Sequence, residues 1–469
     1  MVPDDEHTPD SARGHRVTLE RVRVTTRRTD TARARGLYQD SIVFGLLLTL
    51  CLGAVALGFV LDTPAELLQG TVTILTSPSG LLTDYMAIAS VGATLLNAGL
   101  LTLASVVYVR VKKVRISGAV IAGLLTVFGF ALFGKNLVNS IPITLGVLLY
   151  AKLVGKKLSD YTVVSLFATA LAPAVSLMIF GKDLPLGLGI PLGLTVGVLI
   201  GLAIPPMSDH VIRFHHGLVL YNIGFAAGMV GMVIVALMNL IGSDVPEVHL
   251  VSSGNTVPLA VATLTFCLML FVTGFVLNDR STGGLLAFFR RSGRTPSDFV
   301  AQEGLGRTLM NMAAMGALAV GYVILVGGDL NGPVLGGVFT VIGFSAFGKH
   351  PRNCVPILLG VALAATVTGA DLASPNMLLA ALFGTTLAPL AGVFGFGYGV
   401  IAGFLHLALV ANVGFLHAGL NLYNNGFSAG FVALVLIPFF NAIFHIRGKG
   451  SRIVDIEWRP AQGDAASSR

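Results

Sequence analysis

Charged side chains are scarce in this sequence of 469 residues, of which 11% are Asp, Glu, Lys or Arg. Ordinary soluble domains carry about 25% charged residues, so the composition excludes that class. Hydrophobic residues make up 54% of the chain, and the mean hydropathy is +0.83. These values predict an all-α, polytopic integral membrane protein. The formal net charge of +7 comes largely from the tails and short loops, so we expect no nucleic-acid partner.

Cysteine is also scarce, with three residues that lie far apart inside apolar stretches: Cys51, Cys267 and Cys354. Their spacing fits neither a metal site nor a disulfide framework. We expect them to be packing residues.

Carboxylates are absent from the middle of the long apolar runs, although the chain holds 23 Asp and Glu residues. Cation pumps and membrane hydrolases commonly use buried carboxylates or histidine clusters. We therefore predict that the protein is not an enzyme and that it uses no cofactor and no metal. Sodium binding through carbonyl and amide oxygens stays open.

Long apolar runs dominate what is present. With roughly 20 residues needed for one span, the sequence predicts about 14 transmembrane segments. They are 42–61, 85–109, 116–134, 138–155, 162–181, 186–206, 216–242, 257–278, 306–326, 331–348, 354–370, 375–392, 394–412 and 416–443.

Basic residues fall in alternate loops, and the first 36 residues are rich in arginine. Cytoplasmic loops of membrane proteins carry an excess of Lys and Arg. This distribution predicts that both termini are cytoplasmic.

The chain repeats itself. Residues 126–147, TVFGFALFGKNLVNSIPITLGV, match residues 340–361, TVIGFSAFGKHPRNCVPILLGV, at a constant spacing of 349 − 135 = 214. A second motif, HHGLVLYNIGFAAG from His215, matches HAGLNLYNNGFSAG from His417. Glycines at 193, 197 and 201 match those at 395, 399 and 403, and we expect them to permit close helix packing.

The repeat sets the predicted organisation. The divisions are a disordered cytoplasmic tail at 1–38, an extra first segment with an outer loop at 39–83, repeat 1 at 84–243, a linker segment with a cytoplasmic loop at 244–298, repeat 2 at 299–444, and a cytoplasmic tail at 445–469.

Corresponding segments of the repeats lie an odd number of segments apart, so the repeats are predicted to have inverted topology. The parity is the same if 116–155 and 331–370 are re-entrant hairpins, since each hairpin removes two crossings. Inverted repeats are common in transporters, with the solute site at the interface between them.

The first candidate site lies in the duplicated hairpin tips, at Lys135 and Asn139 in repeat 1 and at Lys349 and Asn353 in repeat 2. An ammonium group offers three donors and a positive charge, which suit an anionic solute. The alternative is that both lysines extend to the membrane interface and that the neighbouring prolines only end turns.

The second candidate site combines imidazole, phenol and amide groups from the second motif. Histidine and asparagine at a spacing of seven share a helix face, and both suit a polar solute. The alternative is helix capping and hydrogen bonding between helices. The residues are His215, Tyr221 and Asn222 in repeat 1 and His417, Tyr423 and Asn424 in repeat 2.

The duplicated F-G-K-x-x-x-N-x-x-P and H-x-G-L-x-L-Y-N-x-G-F motifs resemble an uncharacterised bacterial polytopic membrane protein family with a duplicated domain of unknown function. The resemblance covers about residues 40–445. It implies a location in the bacterial inner membrane, and it supplies no substrate.

We therefore expect a transporter or facilitator for a small anionic or polar solute of unknown identity. Alternatives are a passive channel, a flippase for an anionic lipid, and a membrane scaffold without transport activity. The expected partners are the lipid bilayer and that solute, and a homo-oligomer is possible.

Overall fold

The computed structural model describes the backbone of residues 11–182, 184–245 and 248–447, and side chains from residue 36 onward. The chain divides into two structural units, residues 1–47 and 48–469. In the first unit the described backbone is helical from Ser11. A disordered cytoplasmic tail at 1–38 stays a prediction, and most of the predicted tail at 445–469 lies outside the described residues.

The described chain is all-α apart from one pair of two-residue parallel strands, which confirms the predicted class. Helix α2 begins with a capping box. The backbone N–H of Thr63 donates to the side chain of Glu66, and this hydrogen bond lowers the pKa of the Glu66 carboxyl. The elements before the long helices of repeat 1 are α1 (Ser11–Leu61), α2 (Pro64–Thr76), β1 (Leu82–Thr83) and α3 (Tyr85–Ile88), which lies at the predicted boundary of the repeat.

Repeat 1 contains seven α-helices. They are α4 (Val91–Val111), α5 (Gly118–Phe130), α6 (Leu137–Leu153), α7 (Thr162–Ala168), α8 (Ala172–Phe180), α9 (Leu186–Val211) and α10 (Asn222–Leu240). Short 3-10 turns lie at Leu158–Tyr161 and Thr169–Leu171.

Repeat 2 has the same order of helices and follows a linker. The linker contains β2 (His249–Leu250), α11 (Thr256–Leu277) and α12 (Leu285–Phe288), and α13 (Phe299–Glu303) follows at the predicted boundary of repeat 2. Repeat 2 contains α14 (Leu305–Leu325), α15 (Gly332–Phe344), α16 (Pro351–Thr368), α17 (Pro375–Gly384), α18 (Ala388–Phe394), α19 (Phe396–Val413) and α20 (Asn424–Ile446), with 3-10 turns at Thr385–Leu387 and Gly414–His417.

Eleven helices of the described chain are long and apolar enough to cross a membrane, fewer than the 14 predicted. The other three predicted segments are apolar helices at 118–130, 137–153 and 332–344. Helices α5 and α15 have 13 residues each. At about 1.5 Å per residue they extend roughly 20 Å, which is less than the roughly 30 Å hydrocarbon core.

Each repeat contains one helix that is interrupted at the same place. Pro173 and Pro389 have no backbone N–H, so a regular α-helical bond to the residue four positions earlier cannot form. The carbonyls of Thr169 and Thr385 instead accept a bond from the residue three positions on, within a 3-10 turn. The turns separate α7 from α8 and α17 from α18, and their remaining carbonyls are open to other partners.

Close packing of α6 on α9, and of α16 on α19, depends on glycine. A Cβ built on Gly201 would lie 2.2 Å from the carbonyl oxygen of Ile143, and one on Gly403 would lie 2.2 Å from that of Ile357. These contacts confirm the predicted packing role at Gly201 and Gly403, whereas a Cβ on Gly395, just before α19, would meet nothing within 4 Å.

The short helices α5 and α15 pack against each other in antiparallel fashion. Gly118 at the start of α5 lies against the carbonyl of Ala346, just after α15. Gly332 at the start of α15 lies against the carbonyl of Leu132, just after α5. The hairpin tips that hold the duplicated lysines therefore lie at opposite ends of this helix pair.

Candidate functional site

The two repeats exchange backbone hydrogen bonds at their interrupted helices. The N–H of Leu220, just before α10, donates to the carbonyl of Thr386 at 3.1 Å. The N–H of Leu422, just before α20, donates to the carbonyl of Ala170 at 3.1 Å. The donors occupy equivalent positions, as do the acceptors, so each interruption holds a segment of the other repeat.

Aromatic side chains fill the space between these segments. The predicted site residues Tyr221 and Tyr423 are buried, and their ring centroids are 4.9 Å apart. Phe344 packs edge-on to Tyr221 at 4.6 Å, and Phe130 packs in the same way on Tyr423 at 4.7 Å. In this conformation the aromatic rings close the space between the two repeats at the interrupted helices.

The predicted site residue Lys349 bonds across the repeat interface. Its Nζ donates to the hydroxyl of Tyr221 at 2.5 Å and to that of Thr385 at 2.7 Å. The same Nζ lies 4.6 Å from the centroid of the Tyr221 ring. The side chain is completely buried, so it does not extend to a membrane interface.

Lys135 is equally buried but has different partners. Its Nζ donates to the carbonyl of Leu166 at 3.3 Å and lies 5.6 Å from the centroid of Phe130. The tyrosine equivalent to the partner of Lys349 is Tyr423, which donates to Thr126 at 3.1 Å. The repeats therefore match in sequence here but differ in hydrogen bonding. Among the described residues, no carboxylate pairs with either lysine.

The predicted site residues Asn139 and Asn353 hold the hairpin tips. The side-chain oxygen of Asn139 accepts from the N–H of Asn136, and that of Asn353 accepts from the N–H of His350. Their amide groups donate to the carbonyls of the tip glycines, Gly134 and Gly348. These bonds are structural, and a solute-binding role for the two residues stays a prediction.

Asn97 and Asn311 are a further repeated pair that fixes the tips. The amide of Asn97 donates to the carbonyl of Lys135 at 3.0 Å, and that of Asn311 donates to the carbonyl of Lys349 at 2.8 Å. Their spacing of 214 residues is readable in the sequence, but their partners are not.

The histidine and asparagine of each second motif bond to each other, but the predicted shared helix face is wrong, because each histidine lies before the helix that begins at its asparagine. Nε2 of His215 lies 3.0 Å from Oδ1 of Asn222, and Nε2 of His417 lies 2.8 Å from Oδ1 of Asn424. Repeat 2 adds a pair that sequence reasoning missed, His406 with Asn425 at 2.9 Å. The sequence feature that could have predicted this second pair is the presence of two adjacent asparagines, Asn424 and Asn425.

A cavity of about 400 Å³ reaches this part of repeat 2. It lies between the loop at 78–82, residues 245, 248 and 249, which lead into β2, and the chain from α19 to α20. Its polar lining residues are Ser79, His249, Asn376, His417, Asn424 and Asn425. Of the ten predicted site residues, His417 and Asn424 line it.

The equivalent position in repeat 1 is packed closed. The N–H of Leu81 donates to the carbonyl of Gly419 beside the cavity, and the N–H of Thr295 donates to that of Gly217 in the equivalent bond. A Cβ on Gly217 would lie 2.2 Å from the carbonyl oxygen of Thr295, whereas one on Gly419 would meet its nearest atom at 3.6 Å. The site at Gly217 and the site at Gly419 are equivalent in sequence, and they differ in how tightly they are packed.

A pair of aspartates, Asp84 and Asp298, organises the loops beside these sites and was missed from the sequence. Asp84 is buried and accepts from both the N–H and the hydroxyl of Ser252. Asp298 accepts from the N–H of Gly118 at 3.0 Å. Their spacing of 214 residues was the available signal. Among the described residues, no group of three His, Cys, Asp or Glu could hold a metal ion.

Comparison with known proteins gives one match. The family described as "Protein of unknown function (DUF1576)" matches residues 63–240 and again 277–442. The two matched regions begin at positions of the same spacing as the hairpin repeat, and together they cover well over half of the chain. No curated protein and no solved structure matches.

Proposed function

The chain belongs to the DUF1576 family, as the resemblance seen in its motifs implied, and we propose that it is a transporter that moves a small polar solute by alternating access. The observation that carries the proposal is the difference between two equivalent sites. The site at Gly419 opens into a cavity that is partly lined by polar side chains, while the site at Gly217 is packed shut. Alternating access requires one site to be open while the other is closed.

Antiparallel packing of α5 on α15 supports an inverted orientation of the repeats. Both hairpins contain a helix too short to cross alone, which supports re-entrant or paired segments at 116–155 and 331–370. If each hairpin enters and leaves the membrane on the same side, the remaining segments make an even number of crossings. We therefore propose that both termini are cytoplasmic, in a bacterial inner membrane.

The interrupted helices support a moving interface. Their bonds to the other repeat are few and local, at Leu220 and Leu422, so they can exchange without unfolding a helix. Discontinuous helices at the interface of inverted repeats are typical of secondary transporters. Lys349 joins the two repeats on the closed side, whereas Lys135 does not bond to the other repeat.

The lining of the cavity indicates the solute class. Its described lining residues include imidazole, amide and hydroxyl groups and no Lys, Arg, Asp or Glu. Such a lining can both donate to and accept from a solute, and it lacks a fixed countercharge for a multiply charged ion. We therefore favour a small polar solute that is uncharged or carries a single charge. The proposal assigns the protein no catalytic step.

Side-specific labelling tests the proposal at two matched leucines. Leu420 is buried but lines the cavity, and Leu218, also buried, occupies the same motif position on the closed side and lines no described cavity. With the three native cysteines replaced, Leu420→Cys should react with a membrane-impermeant thiol reagent from one face of the membrane. Leu218→Cys should react only slowly, and only from the opposite face.

A passive channel would label both cysteines rapidly from either face. Labelling of both from the same face would contradict inverted repeats. Either result would overturn the proposal.

A further inference from the structure

A second cavity, of about 180 Å³, lies beside Lys135 between α4, α6 and α7. Its polar lining residues near the lysine are Tyr108, Ser140, Ser165 and Thr169. This cavity does not include the residues of the histidine–asparagine pairs, so it is distinct from the 400 Å³ cavity.

Unused hydrogen-bond donors face this cavity. The amine of Lys135 can donate three bonds, and it donates one, to the carbonyl of Leu166. The one hydrogen of the Ser165 hydroxyl is donated to the carbonyl of Thr162 at 2.7 Å, so in the 3.3 Å contact between Ser165 and Tyr108 the phenol donates to Ser165. No carboxylate lines the cavity. A buried amine with open donors and no countercharge is a costly arrangement unless an acceptor group binds there.

The rim of the cavity faces lipid rather than water. Leu137, Ile141 and Leu145 are 37%, 50% and 54% exposed, and they follow one face of the apolar helix α6. A ligand that enters past these side chains has to come from an apolar surface. A free inorganic anion would lose its hydration on that route.

We propose that this cavity binds the anionic headgroup of a membrane amphiphile, with the headgroup oxygens at Lys135 and the acyl chain along Leu137, Ile141 and Leu145. The shared chemistry is a phosphate or carboxylate group, and the lateral opening favours a lipid as its source. The site does not depend on the proposed transport activity.

Repeat 2 provides an internal control, because its lysine has different hydrogen-bond partners. Lys349 donates to Tyr221 and Thr385. Leu359, equivalent to Leu145, is 49% exposed on the matching face of α16. A tryptophan at either position would therefore sense lipid, but only the one at 145 would lie beside a lysine with open donors.

Quenching by brominated lipid tests the site in the full chain. The single native tryptophan, Trp458, is replaced by Phe, and Leu145→Trp or Leu359→Trp is introduced. In phosphatidylcholine bilayers containing brominated phosphatidylglycerol, the tryptophan at 145 should be quenched more strongly than with brominated phosphatidylcholine. The tryptophan at 359 should show a smaller preference or none. Adding Lys135→Met should abolish the preference at 145, while Lys157→Ala, an exposed lysine, should leave it intact.

Equal quenching by the two lipids at 145, or an unchanged preference in Lys135→Met, would overturn the proposal. Loss of the preference on adding inorganic phosphate would also overturn it, because the ligand would then be free phosphate rather than lipid. If Lys135→Met fails to fold, Lys135→Gln replaces it, with a weakened preference expected. The comparison of lipids with Leu145→Trp alone needs no variant of the lysine.

Discussion

At the scale of single residues, the repeat identified the polar positions but not their partners. Lys349 and Tyr221 were both candidates, yet they lie 128 residues apart and in different repeats. Sequence spacing carries no information on such a contact. The capping role of Asn139 could be predicted more easily, because Asn136 and Asn139 stand three residues apart at a helix start, as in a capping box. The sequence therefore indicated the local capping pattern, but it did not indicate the contact between Lys349 and Tyr221.

The different partners of Tyr221 and Tyr423 predict unequal effects of the same substitution. Tyr221→Phe removes an acceptor from the Lys349 amine, and hydrogen bonds to charged groups are worth about 1.5–3 kcal/mol. Tyr423→Phe removes a bond between two hydroxyls, worth about 0.5–1.5 kcal/mol. Thermal unfolding in detergent should therefore show a larger loss of stability for Tyr221→Phe. Equal losses would contradict the asymmetry between the repeats.

Lys349 should also control access to the closed site. Lys349→Met removes the bonds that join α16's hairpin tip to Tyr221 and Thr385. We expect faster thiol labelling of Leu218→Cys in that background. Lys135→Met, which breaks no bond between the repeats, is the matched control and should leave the labelling rate at Leu218→Cys unchanged.

At the scale of elements, helix existence was predictable and helix length was not. All 14 predicted apolar segments correspond to helices, but three are too short to meet the length of a span. Apolar residues continue through the hairpin tips, so hydropathy alone could not locate the ends of α5 and α15. The interruption at Thr169–Leu171 had a signal in Pro173, whose missing N–H excludes a regular turn.

Glycine substitutions test the close contact between α16 and α19. Gly403→Ala places a Cβ against the carbonyl of Ile357, and such overpacking costs typically about 1–3 kcal/mol. The control is Gly321→Ala in α14, where a Cβ meets nothing within 4 Å. Alanine there should stabilise the helix by roughly 0.5–1 kcal/mol. Opposite shifts in the melting temperature are expected, and a neutral Gly403→Ala would contradict the packing.

At the scale of the whole molecule, the order of the repeats followed from the sequence, whereas the exchange of bonds between them did not. The spacing of 214 residues predicted two equivalent units, and the family match covers both. The open and closed states of the two sites are a property of packing, and equivalent sequences cannot reveal which one is open.

Topology mapping tests the proposed inversion of the whole molecule. Lys112 and Val326 are the C-cap residues of the equivalent helices α4 and α14. Cysteines at these positions should react with an impermeant reagent from opposite faces of the membrane, with position 112 cytoplasmic. Reaction from the same face would show that the repeats are parallel.

The exchanged backbone bonds also bear on what half of this chain would do by itself. Repeat 1 contains both a donor, the N–H of Leu220, and an acceptor, the carbonyl of Ala170, but the two bond to repeat 2 rather than to each other. Two copies of repeat 1 related by a twofold axis could satisfy both groups at once. One half therefore carries the donor and the acceptor of both exchanged bonds, and the full-length chain holds two such halves together covalently.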